Sequence, residues 1–194
     1  AASDVYKRQK IGKAADKRGL SVLLKALESE NKRIKYKALK SLIWFGDTSL
    51  VPIFRRFLKE DDEFMRIYAA VGLAFLNDTS TEIQNILINA CKNRKDIAYS
   101  RTGEIALGTE RAFKDIKEHV EKPPYPPMGL SPDHQWANIS NIWLYKPPPS
   151  MELALYRLKS KERFVRECGL LDLMLIGTDE AVREIKKLLD DPDP

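Results

Sequence analysis

The sequence is poor in the residues that build disulfide frameworks and metal sites. It contains two cysteines, Cys91 and Cys168, and two histidines, His119 and His134, and neither pair has the spacing of metal ligands. It has no apolar run of about 18 residues, which excludes a predicted transmembrane helix, and no basic-then-apolar segment opens it. Phosphate-binding glycine loops, the GxSxG elbow and HExxH are all absent. We therefore expect a protein that is not an enzyme, with no catalytic residues, no cofactor and no metal.

The composition indicates a globular chain of ordinary polarity. Hydrophobic residues make up 43% and charged residues 31% of the sequence. Lysine and arginine number 33 against 28 acids, a net charge of +5. This excess is small for a dedicated nucleic-acid binder. We expect a cytoplasmic protein that does not engage a membrane.

A repeat of about 31 residues runs through the chain. The strings WFGDTS, FLNDTS, ALGTER and LIGTDE recur, and they align on four turn residues: Gly46, Asn77, Gly108 and Gly177. The separations are 31, 31 and 69 residues, the last being about two repeats. Glycine or asparagine is the favoured left-handed residue after a helix. The next residues suit the N-cap of the following helix, namely Asp47, Asp78, Thr109 and Thr178.

Apolar residues with helical spacing fill the segments on both sides of each turn. Each repeat therefore reads as helix A, a turn and helix B. Helices A are predicted at 18–29, 49–59, 80–92, 110–121, 150–159 and 179–190, and helices B at 32–45, 63–76, 96–107, 132–145 and 162–176. Eight positions before each turn residue stands a small residue that lets the neighbouring helix approach closely: Ala38, Ala69, Ser100 and Gly169. The pattern predicts an all-α, right-handed α-solenoid of about five and a half repeats.

Two segments depart from the repeat. In 96–107, Arg101 and Glu104 stand where other repeats place apolar residues. We favour a helix rotated toward solvent, with a polar site between repeats as the alternative. At 122–132 the string KPPYPPMGLSP cannot be helical. We interpret it as an insertion, more simply a spacer than a functional loop.

Both ends have an unusual sequence. DVYKRQ at 4–9 resembles the product of one reading frame of a transposon-end sequencing adapter, so we interpret residues 1–9 as a library scar on a metagenomic fragment. The native protein then occupies 10–194 as a single domain. The final LLDDPDP falls in the middle of a repeat, so we expect the last helix A to lack its partner helix B.

The repeats resemble a known family. FVRECGLLDLMLIGTDEAVREIKKLLDDPDP at 164–194 is similar to the HEAT-like repeat of the phycocyanobilin-lyase type, and 65–78 and 34–47 share the pattern more weakly. The resemblance covers most of 17–194 and implies a solenoid architecture, but no particular activity, because such repeats occur in many unrelated proteins. In such repeats an acid at the A–B turn pairs with a basic residue of helix B. We expect this structural ladder to involve Asp61, Asp62, Lys35, Arg66 and Arg166.

One stretch suggests a binding surface. Lys32, Arg33, Lys37 and Lys40 lie close together without an acid, and Tyr36 among them is followed by Tyr68 and Tyr99 at corresponding positions of the next two repeats. We expect these side chains to be exposed on the concave, helix-B face and to contact a partner protein. The alternative is a nucleic-acid-binding or DNA-repair protein similar to the HEAT-like alkylpurine glycosylases. For that alternative no Trp/Asp/Arg constellation is identifiable. A bilin-lyase subunit is a third, weaker alternative.

Overall fold

The computed structural model describes residues 17–120, 142–143 and 146–188, and every regular element in these ranges is helical. Ten α-helices are described: α1 (Lys17–Ala26), α2 (Lys32–Ile43), α3 (Val51–Phe57), α4 (Glu63–Phe75), α5 (Thr81–Lys92), α6 (Ile97–Leu107), α7 (Glu110–Val120), α8 (Met151–Leu158), α9 (Arg163–Ile176) and α10 (Asp179–Leu188). A short 3₁₀ turn, Thr48–Leu50, precedes α3. The all-α solenoid predicted from the repeat is confirmed.

Some predictions fall outside the described residues. These are the scar at 1–9, the proline-rich insertion at 122–132, the side chains of His119 and His134, and the end of the chain beyond Leu188. Of the helix predicted at 132–145, only Ile142 and Trp143 are described, and both are helical. The other predicted helices are present, and where their ends are described these differ by a few residues, because the prediction counted cap, turn and 3₁₀ residues as helix.

The four turn residues adopt the left-handed conformation that the repeat predicted. Their φ angles are +60° at Gly46, +65° at Asn77, +56° at Gly108 and +62° at Gly177. The residue that follows caps the next helical segment at three of the four turns, as expected: Asp47, Thr109 and Thr178. Asp78 does not, because it accepts from the backbone N–H of Ser80, which is itself the N-cap residue of α5. The backbone N–H of Ser49 donates to Asp47 at 2.8 Å, and that of Ala112 donates to Thr109 Oγ1 at 3.2 Å. One turn thus ends one helix and starts the next.

The helices B of the first three repeats, α2, α4 and α6, pack side by side with the helices A against them. The middle helix is enclosed over most of its length, since every residue from Ile67 to Phe75 is buried. Small residues permit this closeness. A Cβ added to Gly72 would lie 2.4 Å from the Phe54 ring, and one added to Gly169 would lie 2.9 Å from the Ala154 carbonyl oxygen of α8. The helix pairs therefore stack around a main hydrophobic core, with a second small cluster of Ala154, Leu173 and Ala181 between the last helices.

Candidate functional site

Three tyrosines form a row across successive helices B. The Tyr36 and Tyr68 ring centroids are 5.9 Å apart and those of Tyr68 and Tyr99 are 5.5 Å apart, both edge to face. Phe64 joins the row, 6.3 Å from Tyr36 and 6.4 Å from Tyr68. Edge-to-face contacts of this kind stabilise aromatic clusters beyond simple burial. The sequence therefore placed the three tyrosines correctly on one face.

Two of the tyrosine hydroxyl groups donate to a carboxylate at the start of the next helix B. Tyr36 donates to Asp62 Oδ2 at 2.6 Å, and Tyr68 donates to Asp96 Oδ2 at 2.6 Å. Asp62 also caps α4 by accepting from the backbone N–H groups of Phe64 and Met65. The repeat thus places the same tyrosine-to-aspartate hydrogen bond between the first and second helices B and again between the second and third.

These hydrogen bonds shift the pKa values of both partners. The bond to the carboxylate, with partial burial, raises the pKa of Tyr36 to about 12. Burial and the bond to Asp96 raise the pKa of Tyr68 further. Although burial opposes ionisation of Asp62 and Asp96, the tyrosine hydroxyls and neighbouring lysines keep both carboxyl pKa values below the usual range. The tyrosines therefore act as neutral donors and the aspartates as permanent anions near neutral pH.

The expectation that the tyrosines are exposed is wrong for Tyr68. Its exposed fraction is 5%, and Tyr36 and Tyr99 are half-buried. The neighbouring rings and the Lys40 side chain cover Tyr68, because helices α2 and α6 both approach the enclosed helix α4. The exposed aromatic of the row is instead Phe64, at 37%.

The four basic residues divide into two pairs with different surroundings. Lys32 lies 3.2 Å from Asp62, and Lys40 lies 3.0 Å from Asp96, so both are neutralised within the chain. Arg33 and Lys37 are exposed and make no ion pair within the part of the chain that the structure describes. Only this second pair is free to meet a charged partner.

The predicted structural ladder has different contacts from those expected. Arg66 donates to the backbone carbonyl oxygens of Glu60 and Asp61 at 2.7 and 2.8 Å, rather than to a carboxylate. Arg166 makes the same contacts with Ser160 and Lys161, at 3.3 and 3.0 Å. Both guanidinium groups thus bind backbone carbonyl oxygens at the A–B turn, where the expected partner was the carboxylate of an acid such as Asp61. Asp62 does pair with a helix-B cation, but this is Lys32, and Lys35 makes no ion pair among the described residues.

The polar segment in α6 faces the interior, so the favoured rotation toward solvent is wrong. Glu104 is fully buried and Asp115 of α7 is 5% exposed. Arg101 binds the carboxylates of both residues, with Asp115 3.4 Å away, and Lys92 of α5 lies 3.6 Å from Asp115. Burial, together with Asp115 and despite Arg101, raises the pKa of Glu104 to about 8. These side chains form a polar cluster between repeats, which is the alternative interpretation of this segment.

A second buried polar cluster was missed by the sequence analysis. The Trp143 indole N–H donates to Asp172 Oδ1 at 2.7 Å, and Arg157 binds the other oxygen of the same carboxylate. Arg157 also donates to the Leu107 carbonyl, and Lys146 donates to the Ala106 carbonyl, both at 2.6 Å. Both side chains donate to the C-terminal carbonyls of α6, and Arg157 joins this end to α8 and α9. Burial, with the nearby Arg157, lowers the pKa of Lys146 to about 7. The only sequence signal of this cluster was Asp172 between the apolar residues of helix α9.

This cluster bears on the glycosylase-like alternative, because it supplies a Trp/Asp/Arg group that the sequence did not reveal. Its members are 2%, 0% and 1% exposed, so no base could contact them in this state.

Both cysteines are also buried, and burial raises the pKa of Cys168 to about 12, so these thiols read as packing residues. Within the described ranges, no group of three or more His, Cys, Asp or Glu residues is placed to hold a metal ion.

Comparison with known proteins agrees with the architecture. In the part of the chain that the structure describes, every helix is too short or too polar to cross a bilayer. No curated protein matches the chain. Residues 9–74 match the family model described as HEAT repeats. This match covers the first two predicted helix pairs, and together with the stacked helices it supports a HEAT-like repeat protein.

Proposed function

We propose that this chain is a non-enzymatic, cytoplasmic scaffold that binds another protein through the helix-B face of its first three repeats. HEAT repeats commonly act as protein-interaction scaffolds, and their stacked helices present long continuous surfaces. The finer assignment to the phycocyanobilin-lyase repeat type rests on the residues quoted above. It carries no lyase activity with it.

The observation that carries the proposal is the surroundings of Phe64. This ring is 37% exposed although it packs against Tyr36 and Tyr68. It is therefore a rigid apolar contact that needs little ordering when a partner binds. Arg33 and Lys37, on the same helix as Tyr36, supply two exposed and unpaired cations. A partner with an apolar side chain flanked by acids fits this combination.

The proposal is tested by capturing partners on the immobilised chain, mapping the contact by crosslinking, and comparing variants in a binding assay. Phe64→Ala should weaken binding about 30-fold, the effect of losing a central contact worth about 2 kcal/mol. Arg33→Glu with Lys37→Glu should slow association and reduce its salt dependence. Tyr68→Ala is not a useful probe, because its side chain is buried in the core.

The matched control is Tyr156→Ala, which removes an aromatic that is 73% exposed on α8, a helix that does not belong to the first three repeats. Its binding should equal that of the wild-type chain. If Phe64→Ala and the charge reversals also bind like wild type, the helix-B face is not the docking surface.

The nucleic-acid alternative predicts a different result in the same assay. Binding to duplex or single-stranded nucleic acid would fall with salt at a slope of about −0.9 per phosphate contact on duplex DNA. With Lys32 and Lys40 held by carboxylates, the helix-B face offers few free cations for such contacts. A steep slope that Arg33→Glu and Lys37→Glu flatten would favour this alternative.

A further inference from the structure

Lys40 connects helices that are not neighbours in the stack. It belongs to α2, yet its ammonium lies 3.0 Å from Asp96 at the start of α6, across the face of α4. In a solenoid each repeat normally touches only the next one. A side chain that spans two repeats therefore needs a specific attraction at its far end.

The surroundings of that ammonium supply the attraction. The Lys40 nitrogen lies 4.3 Å from the Tyr68 ring centroid and 4.1 Å from the Tyr99 ring centroid. The Asp96 carboxylate is anchored by the Tyr68 hydroxyl at 2.6 Å. Two aromatic faces and a fixed carboxylate around one nitrogen match the chemistry by which proteins recognise ammonium groups. The side chains of Lys40 and Asp96 are 29% and 21% exposed, so the site is partly desolvated but still open to solvent.

We propose that Tyr68, Tyr99 and Asp96 form an ammonium-binding cage that Lys40 fills from within the chain, and that a free primary alkylammonium binds there when Lys40 is removed. The filled cage ties the first helix pair to the third and limits bending of the stack between them. The ligand class is a primary alkylammonium, and a lysine side chain is its form in proteins. The inference needs no partner protein, so it stands or falls separately from the proposed function.

The chain contains a matched site that lacks the cage. Lys32 lies 3.2 Å from Asp62, whose carboxylate also accepts from a tyrosine hydroxyl, but its side chain is 73% exposed. Among the described contacts of Lys32 there is no ring face beneath its nitrogen. This pair has the carboxylate and the hydroxyl without the aromatic walls.

The test is chemical rescue of Lys40→Ala with n-propylammonium, the fragment that the substitution removes. Thermal unfolding and the NMR signals of the tyrosine rings are followed as n-propylammonium chloride is added at constant ionic strength. We expect a saturable rise in Tm of about 2 °C, with ring shifts at Tyr68 and Tyr99. Wild type and Lys32→Ala should show neither response, and n-propanol should not rescue Lys40→Ala.

Equal responses in Lys40→Ala and Lys32→Ala, or none in Lys40→Ala, would overturn the proposal. If Lys40→Ala does not fold, a double-mutant cycle with Lys40→Met and Asp96→Asn replaces it. The two substitutions should then be clearly non-additive in their effect on Tm. Additive effects would show that the two groups do not form one site.

Discussion

Titration of Glu104 should make the protein less stable as the pH rises, whereas most carboxylates make a protein more stable as the pH rises. The Glu104 side chain is fully buried beside Asp115, and its pKa rises from 4.5 to about 8 because burial disfavours the charged form. Arg101 opposes this shift and Asp115 adds to it. The folded chain therefore keeps a proton that the unfolded chain releases at lower pH.

The size of the effect follows from linkage. A group whose pKa is raised on folding contributes its stabilisation fully below the unfolded pKa, near 4.5, and loses it as the pH rises through about 8. Within this window the free energy of unfolding falls by at most about 1.4 kcal/mol per pH unit. Between pH 5 and pH 7, titration of Glu104 thus lowers the free energy of unfolding by at most about 3 kcal/mol. This is a large part of the stability of an ordinary domain.

The assay is urea unfolding followed by circular dichroism at pH 5, 6, 7 and 8, on wild type and on Glu104→Gln. Glutamine keeps the shape of the protonated acid but cannot ionise. The free energy of unfolding of wild type should therefore fall relative to the variant as the pH rises. Subtracting the variant's profile removes the contribution of all other titrating groups. Parallel profiles for the two proteins would refute the buried, protonated Glu104.

Three further substitutions test the packing. Asp172→Ala should destabilise the chain by about 3 to 5 kcal/mol, because it leaves the buried Arg157 guanidinium without its carboxylate; a loss below about 1 kcal/mol in urea unfolding would show that the pair is dispensable. Gly72→Ala should cost about 1 to 3 kcal/mol, since its Cβ would overlap the Phe54 ring, and an unchanged Tm would contradict that packing. Gly177→Ala should cost about 1 kcal/mol from its left-handed backbone alone, because the nearest described atom to a Cβ there is the Met174 carbonyl oxygen at 3.8 Å. A stability equal to wild type would contradict the assigned turn.

The architecture was largely predictable because it depends on local signals. Gly46, Asn77, Gly108 and Gly177 were recognised as turn residues from their spacing alone, and all have positive φ. A left-handed residue after a helix is a property of the backbone at that position, and the helical period of apolar residues is equally local. The row of tyrosines followed from the same repeat.

The candidate site was less predictable, because burial and pairing depend on residues far away in sequence. Glu104 could be a surface or a core residue until Asp115 and Arg101 are placed around it. The apparently free Lys40 is neutralised by a carboxylate 56 residues away. The i,i+3 spacing within α6 allows Arg101 to pair with Glu104, but no periodicity within a helix reveals the contacts with Asp115 or between Lys40 and Asp96, since these require the distance between helices.

The sequence by itself determined the helix-turn-helix repeat, its turns and caps, and the face on which Tyr36, Tyr68 and Tyr99 stand. Tertiary structure alone decided which of those side chains remain accessible. Helices α2 and α6 approach the enclosed helix α4 so closely that Tyr68 is buried and Lys40 is captured, which leaves Phe64, Arg33 and Lys37 exposed. The physical reason is that side-chain direction is set by the helical period, whereas exposure and charge pairing are set by the packing distance between helices.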